Sequence, residues 1–307
     1  MKLLLQLLFL LMLTTAQFAQ SQALIPLWGR GEMPNSKGMR LDRIEARERV
    51  TQVDVPGIYP FFTSHEENTG AAVLICPPGG YQKLTYQIAG FQLAKWFNTF
   101  GVNAFVLMYR MPASPDLMQP HLAPLQDAQR AMQLIRSHAE AWGIHPQRVG
   151  VMGCSAGGHL AASLSTWTEN VTSVSDTIAR QLFLPDFQIL VSPVITMGEL
   201  AHAGSRKALL GASPTAELVS RFSCEKHVTP STPPAFVVHA QDDATVPVSN
   251  SLIYYQALVA NSVQASLHLF PAGGHSIALR NNPPTTNLWP QLCEAWMREM
   301  GWLTPVK

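Results

Sequence analysis

RVGVMGCSAGGHLAASLS, residues 148–165, passes from strand to tight turn to helix in one short run. Arg148 to Met152 reads as a short buried strand, and His159 to Ser165, rich in Ala and Leu, as the start of a helix. Between them Gly153-Cys154-Ser155-Ala156-Gly157 has the form Gly-x-Ser-x-Gly. In that context a serine sits on a strained turn with its hydroxyl exposed at the top of a sheet. Gly153 and Gly157 then stand where a Cβ would collide as strand and helix approach. The following helix would turn its free N–H groups and positive dipole end toward the reacting centre. Alone, the five-residue pattern is also met in ordinary glycine-rich turns, so the flanking sequence has to decide.

That sequence alternates strand and helix. Ala71 to Cys76 is a continuous apolar run, as expected of a strand covered on both faces. Pro77-Pro78-Gly79-Gly80-Tyr81 follows it, and a glycine pair at the end of a central strand can turn main-chain N–H groups inward to hold an oxyanion. Gln87 to Phe100 reads as a helix, Val102 to Tyr109 as a strand and Leu122 to Trp142 as a long helix. On that helix Asp127 and Arg130, together with Arg110, read as a structural ion-pair network. Phe187 to Val191 and Ala235 to His239 are further strands, Asn250 to Asn261 a helix, Ala265 to Phe270 the last strand and Leu288 to Gly301 a closing helix. The pattern predicts an α/β fold, a doubly wound, mostly parallel sheet with helices on both faces. Residues 24–307 form one domain by this reading, with a polar insertion, a candidate lid, over about 195–230. Residues 24–48 are expected to wrap the surface. Arg49 to Val55 and Ile58 to Phe62 are expected to form a hairpin turning at Pro56-Gly57.

Composition narrows the function. The chain has 307 residues, 47% hydrophobic and 13% charged, with a net charge of +1, which gives no electrostatic case for nucleic acid or an anionic membrane. Met1-Lys2 and the apolar run Leu3 to Leu13, followed by small and polar residues to Ala23, form a signal-peptide pattern, residues 1–23, too short for a membrane anchor. The mature chain is then secreted or periplasmic. Of the four cysteines, Cys76 and Cys154 read as small buried residues; the sequence leaves open whether Cys224 and Cys293 pair. No metal-ligand spacing is present and no cofactor is called for.

The chemistry-bearing residues fall in the order serine, acid, histidine, the chain order of an α/β-hydrolase. Ser155 is the nucleophile. His275, on the loop Pro271-Ala272-Gly273-Gly274-His275, is the base, and the acid lies in Gln241-Asp242-Asp243. Asp243 is preferred over Asp242 because Val246-Pro247 follow it as the loop descends into the next helix. The main-chain N–H of Ala156, with that of Gly80 or Tyr81, would bind the oxyanion. His159 and His239 read as structural.

PPGGYQ at 77, YRMP at 109, PLQDAQRAMQLIRSHA at 124, HAQDDATVPVSNSL at 239 and GGHSIAL at 273, with the serine motif, resemble the bacterial acetyl-esterase and acetyl xylan esterase-like α/β-hydrolases. These are relatives of the feruloyl-esterase-like and hormone-sensitive-lipase-like branches. The resemblance runs from about residue 71 to the C-terminus and implies the same Ser155, Asp243 and His275, with the oxyanion glycines on Gly79-Gly80. Where related esterases have His-Gly-Gly, this chain has Pro78-Gly79-Gly80. The implied substrate is an acetylated carbohydrate such as xylan, or another small ester. Feruloyl or general short-chain esterase activity is the alternative. A peptidase of the prolyl oligopeptidase type lacks room for its gating domain here. A non-catalytic binding module conflicts with the presence of all three candidate residues.

Overall fold

In the computed structural model, residues 23–29, 31–275 and 277–304 are described. The expected signal peptide lies almost wholly outside the described residues. Ten strands form: β1 Ile25–Pro26, β2 Ile44–Ala46, β3 Arg49–Gln52, β4 Gly57–Phe61, β5 Ala72–Cys76, β6 Asn103–Met108, β7 Val149–Cys154, β8 Gln188–Val191, β9 Ala235–Ala240 and β10 Ala265–Phe270. Eight of them make one sheet in the order β1-β4-β6-β5-β7-β8-β9-β10. From β6 to β10 every pairing is parallel; β4 and β1 add antiparallel at one edge. The chain reverses its direction of strand addition at β5 and β7, the central pair, so their carboxyl ends open a crevice where such sheets place their ligands.

β5, β6 and β9 are buried along their whole length, which is why they are unbroken apolar runs rather than alternating ones. The helices are α1 Gln92–Asn98, α2 Ala123–Ser137, α3 Ser155–Thr166, α4 Ala203–Leu210, α5 Ala216–Arg221, α6 Ser249–Ala260 and α7 Trp289–Glu299. α1 and α7 meet on one face, with Trp96 and Trp289 ring centroids 5.5 Å apart. α2 packs against α3 on the other face. The helix expected from Gln87 begins instead with a π-helical turn over Gln87–Phe91, where Ala89 leaves helical geometry.

Two expectations for the N-terminal part are corrected. Arg49–Gln52 does not pair with the strand after Pro56-Gly57; it pairs with Ile44–Ala46. The turn is Arg47-Glu48, both at positive φ (49° and 59°). Two consecutive positive φ values are the backbone of a tight hairpin turn, here made without the usual Asn or Gly. Gly57 instead opens β4, where a Cβ would run into the Leu24 side chain and the Ile25 carbonyl of β1. Residues 24–29 do not simply wrap the surface either. Leu27 and Trp28 are buried, and the Trp28 indole N–H donates to Asp127 Oδ1 at 2.9 Å. The indole ring also lies under both the Arg110 and Arg130 guanidinium groups.

The expected ion-pair network is present with a different pairing. Arg110 and Asp127 form a buried pair, Nη2 to Oδ1 2.8 Å. Arg130 reaches Asp176 at 2.6 Å instead. Cys76, Cys224 and Cys293 are buried and Cys154 partly so; all four are free thiols, so Cys224 and Cys293 do not pair. Among the described residues no helix is long and apolar enough to cross a membrane.

Candidate active site

β7 runs into Ser155 without a linker, and α3 begins there. Ser155 has φ +54°, the left-handed region that side chains rarely adopt. The turn closes because a Cβ on Gly153 would meet the Gly157 carbonyl, and one on Gly157 the Cys76 carbonyl at the end of β5. Gly153 and Gly157 thus let α3 start directly against two strands. The hydroxyl is lifted above the carboxyl end of the sheet, and the first N–H groups of α3, Ala156 included, are left without intrahelical acceptors.

His275 comes to Ser155 from the loop after β10. Its Nε2 is 2.8 Å from Ser155 Oγ and its Nδ1 2.7 Å from Asp243 Oδ2. A carboxylate can only accept, so Nδ1 carries the proton. Nε2 is then free to accept from the serine hydroxyl. The sequence's three residues, separated by up to 120 positions, are brought into one hydrogen-bonded line.

The two aspartates have different surroundings. Asp243 is buried and fully occupied: Oδ1 accepts from the N–H of Thr245 (2.8 Å) and Val246 (2.9 Å), and Oδ2 from His275 and from His239 Nε2 (3.1 Å). Burial opposes its charge, but the bonds from His239, His275, Val246 and Thr245 outweigh burial and hold the carboxyl well below the usual carboxylate range. Asp242 faces outward and accepts from the Gly274 N–H at 2.7 Å, so it positions the histidine loop from outside.

The turn after β5 supplies the opposite wall. Gly79, Gly80 and Tyr81 have φ values of 147°, 67° and 58° in succession. At Gly79 a Cβ would strike the main chain of Lys83, so no side chain fits. The N–H groups of Gly80 and Tyr81 have no acceptor among the described residues. They and the Ala156 N–H are the groups available to a developing oxyanion.

The polar stretch between β8 and β9 carries α4, α5 and a 3₁₀ turn at Cys224–Lys226, and α4 comes up to this region through Ser205. It is pinned to the body. Val194 N–H donates to the Ser155 carbonyl (3.0 Å), and Asn250 Oδ1 accepts from Ile195 and Thr196. Buried Ser205 in the first turn of α4 stands beside Gly80, its Oγ in van der Waals reach of where a Cβ there would lie. His202 caps α4, its Nδ1 accepting from Ser205 N–H at 3.2 Å. Burial lowers the His202 pKa; the neighbouring His275 lowers it further, and Asp243 works the other way. Arg206 on α4 is partly buried, and its Nε is buried without a partner among the described residues.

Sequence reading left three groups without a role in the site. His239, taken as structural, sits wholly buried beneath Asp243 and holds the same oxygen as His275. His202 came unremarked from the segment between β8 and β9. His159, also taken as structural, contacts the oxyanion turn through Tyr81. Only the His239-to-Asp243 spacing carried a local signal, a strand-end histidine four residues before the acid. Among the described residues no cluster of three or more His, Cys, Asp or Glu is arranged to hold a metal ion.

A parallel sheet crossed by a serine elbow, with the acid and histidine on the two last strand-following loops, is the layout of an α/β-hydrolase. The BD-FAE family profile matches residues 88–258, more than half of the chain. The chain belongs to the BD-FAE family. Its fold and family are those of serine ester hydrolases. It is similar to endo-1,4-beta-xylanase B of Butyrivibrio fibrisolvens, 33% identical over 228 residues, and to the acetylxylan esterase of Xylanibacter ruminicola, 34% identical over 215 residues. These matches cover 74% and 68% of this chain but only 35% and 42% of those proteins, so the chain spans well under half the length of either. Among solved structures it resembles the acetyl ester-xyloside bifunctional hydrolase of Caldicellulosiruptor lactoaceticus: TM-score 0.79, 33% identity, 94% of this chain and 99% of that one.

Proposed function

We propose that this member of the BD-FAE family removes acetyl groups from xylan or xylo-oligosaccharides, acting outside the cytoplasm through an acyl-enzyme on Ser155. The line Ser155 Oγ, His275 Nε2, His275 Nδ1, Asp243 Oδ2, with its steps of 2.8 and 2.7 Å, carries the reading. His275 takes the Ser155 proton as Oγ attacks the acetyl carbonyl. Asp243 keeps the imidazole proton on Nδ1 and stabilises the imidazolium. The carbonyl oxygen, now negative, accepts from Ala156 N–H and from Gly80 or Tyr81 N–H. Each such donor is worth about 3 kcal/mol of barrier. The tetrahedral centre collapses as His275 returns its proton to the sugar oxygen, which leaves as an alcohol. Water then repeats the sequence on the acyl-enzyme and releases acetate and free Ser155.

Three observations support the acetyl and xylan part of the reading. α4 stands close over the oxyanion turn, which suits a small acyl group. Two similar proteins are named for acetyl ester or acetylxylan hydrolysis. The signal-peptide pattern of residues 1–23 suits an enzyme that meets a polymer outside the cytoplasm. The test is acetate release from acetylated xylo-oligosaccharides by the wild type and by Ser155→Ala, beside hydrolysis of methyl ferulate. Acetate from the wild type alone supports the reading. Ferulate hydrolysed without acetate release replaces acetyl with feruloyl, and inactivity on both overturns it.

A further inference from the structure

Tyr81 is the one residue of the oxyanion turn with a side chain that reaches into the core. It is 1% exposed, and its φ of +58° is one that side chains rarely adopt. Its hydroxyl is 2.7 Å from His159 Nδ1. His159 is wholly buried on α3, one turn beyond the nucleophile and four residues after it. Its other nitrogen, Nε2, is 2.8 Å from the Phe222 carbonyl oxygen in the segment between β8 and β9. These contacts fix the proton positions. The Phe222 carbonyl only accepts, so Nε2 carries the imidazole proton, and Nδ1 accepts from the Tyr81 O–H. The imidazole stacks on the Phe222 ring at 6.5 Å and meets the Tyr81 ring edge-on at 5.8 Å. At its start the same turn is tied down again, since the Tyr109 hydroxyl donates to the Pro77 carbonyl at 2.9 Å.

We infer that His159 and Tyr81 are positioning residues for the oxyanion hole: His159 holds the Tyr81 hydroxyl, and thereby the Gly80 and Tyr81 N–H groups, in place while anchoring that brace to the β8–β9 segment at Phe222. The oxyanion donors sit on a left-handed turn that lacks regular secondary structure. Main-chain hydrogen bonds from Gln82 and Lys83 to the Gly79 carbonyl close the turn but do not set its tilt toward Ser155. The buried hydroxyl-to-imidazole bond does, because it crosses from β5's turn to α3, the element that carries both Ser155 and the Ala156 N–H. Donor geometry matters most when charge has developed on the substrate oxygen, so the brace acts on the transition state more than on the bound ester. Burial keeps the imidazole neutral, with its pKa pushed down to about 4, which preserves Nδ1 as an acceptor at neutral pH.

The inference rests on the esterase reading, and two imidazole replacements separate the two ends of the brace. In His159→Asn the side-chain oxygen can take the place of Nδ1 and accept from Tyr81. In His159→Gln the amide N–H can take the place of Nε2 and reach Phe222. With 4-nitrophenyl acetate, Tyr81→Phe and His159→Gln are expected to lose about 30-fold in kcat with KM within about twofold of wild type, as fits loss of transition-state contacts alone. His159→Asn is expected to stay within about threefold. The double variant Tyr81→Phe/His159→Gln is expected to be no worse than either single one, because both remove the same bond. Hydrogen–deuterium exchange of the peptide over residues 78–86 reads the brace without turnover. It should speed up in Tyr81→Phe and His159→Gln and not in His159→Asn. Losses confined to KM, a kcat within twofold of wild type in Tyr81→Phe, or His159→Asn as impaired as His159→Gln would overturn the inference. A wild type inactive on every ester, with the exchange pattern as expected, would sink the esterase reading and leave the brace standing.

Discussion

Replacing Asp243 with Asn tests the site at its most crowded atom. Oδ1 of Asp243 accepts two main-chain N–H groups, at 2.8 and 2.9 Å, and Oδ2 accepts from two histidines, at 3.1 and 2.7 Å. An asparagine can satisfy only one side. With its oxygen on Thr245 and Val246, its NH₂ faces the two histidine nitrogens, which must give up their protons to accept from it. His275 would then carry its proton on Nε2, pointing at Ser155 Oγ, and could no longer act as base. The loss expected from a wrong tautomer is about 10⁴ in kcat, or roughly 5 kcal/mol of barrier. The assay is kcat on 4-nitrophenyl acetate at pH 7, with circular dichroism to show that the variant is folded. Asp242→Asn is the paired control. Its amide oxygen can still accept from Gly274, so less than tenfold is expected. The reasoning is refuted if Asp243→Asn keeps more than about a hundredth of wild-type kcat, or if Asp242→Asn falls as far.

Three further outcomes follow from the packing and charge. Asp127→Asn leaves the Arg110 guanidinium, only 3% exposed, without its counter-charge, and should cost about 3–5 kcal/mol in urea unfolding while kcat of the folded fraction is kept; a cost under 1 kcal/mol would contradict the buried pair. Gly153→Ala should give little soluble protein or a large drop in Tm, since the new methyl meets the Gly157 main chain, which cannot move aside, and a variant with wild-type Tm would show that the elbow is less tight than described. His159 is held neutral by burial, with its pKa lowered from 6.5 to about 4. The unfolded chain therefore binds the extra proton first as pH falls, and this group's contribution is present above pH 6.5 and lost as pH falls toward about 4. Across that window the stability gap between wild type and His159→Gln should shrink by about 3 kcal/mol; a constant gap would contradict a neutral buried imidazole.

Much of this was legible in the chain. β5, β6, β7 and β9 show as apolar runs because both sheet faces are covered, and the serine elbow shows because its glycines sit where main chains touch. The loops point to His275 and to the Asp242-Asp243 pair, and Val246-Pro247 favour Asp243 in the sequence; the burial and hydrogen bonds that set Asp243 apart from Asp242 are displayed only by the fold. What stayed hidden depends on contacts with no local pattern. Trp28 reaches Asp127 across 99 residues and Tyr81 reaches His159 across 78, and no periodicity reports such a bond. The Arg47-Glu48 hairpin turn was missed because two charged residues take backbone angles that usually mark Asn and Gly. α4 was missed as a separate helix because its eight residues, AGSRKALL, bury only three positions and leave a weak stripe.

The central claim is that Ser155 forms the covalent acyl-enzyme. Its most direct test is labelling with an alkyl phosphonate ester, which traps a serine attacked through this geometry, followed by peptide mass spectrometry. The account predicts one adduct, on Ser155, forming as acetyl esterase activity is lost and absent from Ser155→Ala and His275→Ala. Loss of activity with the adduct on another residue, or equal labelling of wild type and His275→Ala, would contradict it.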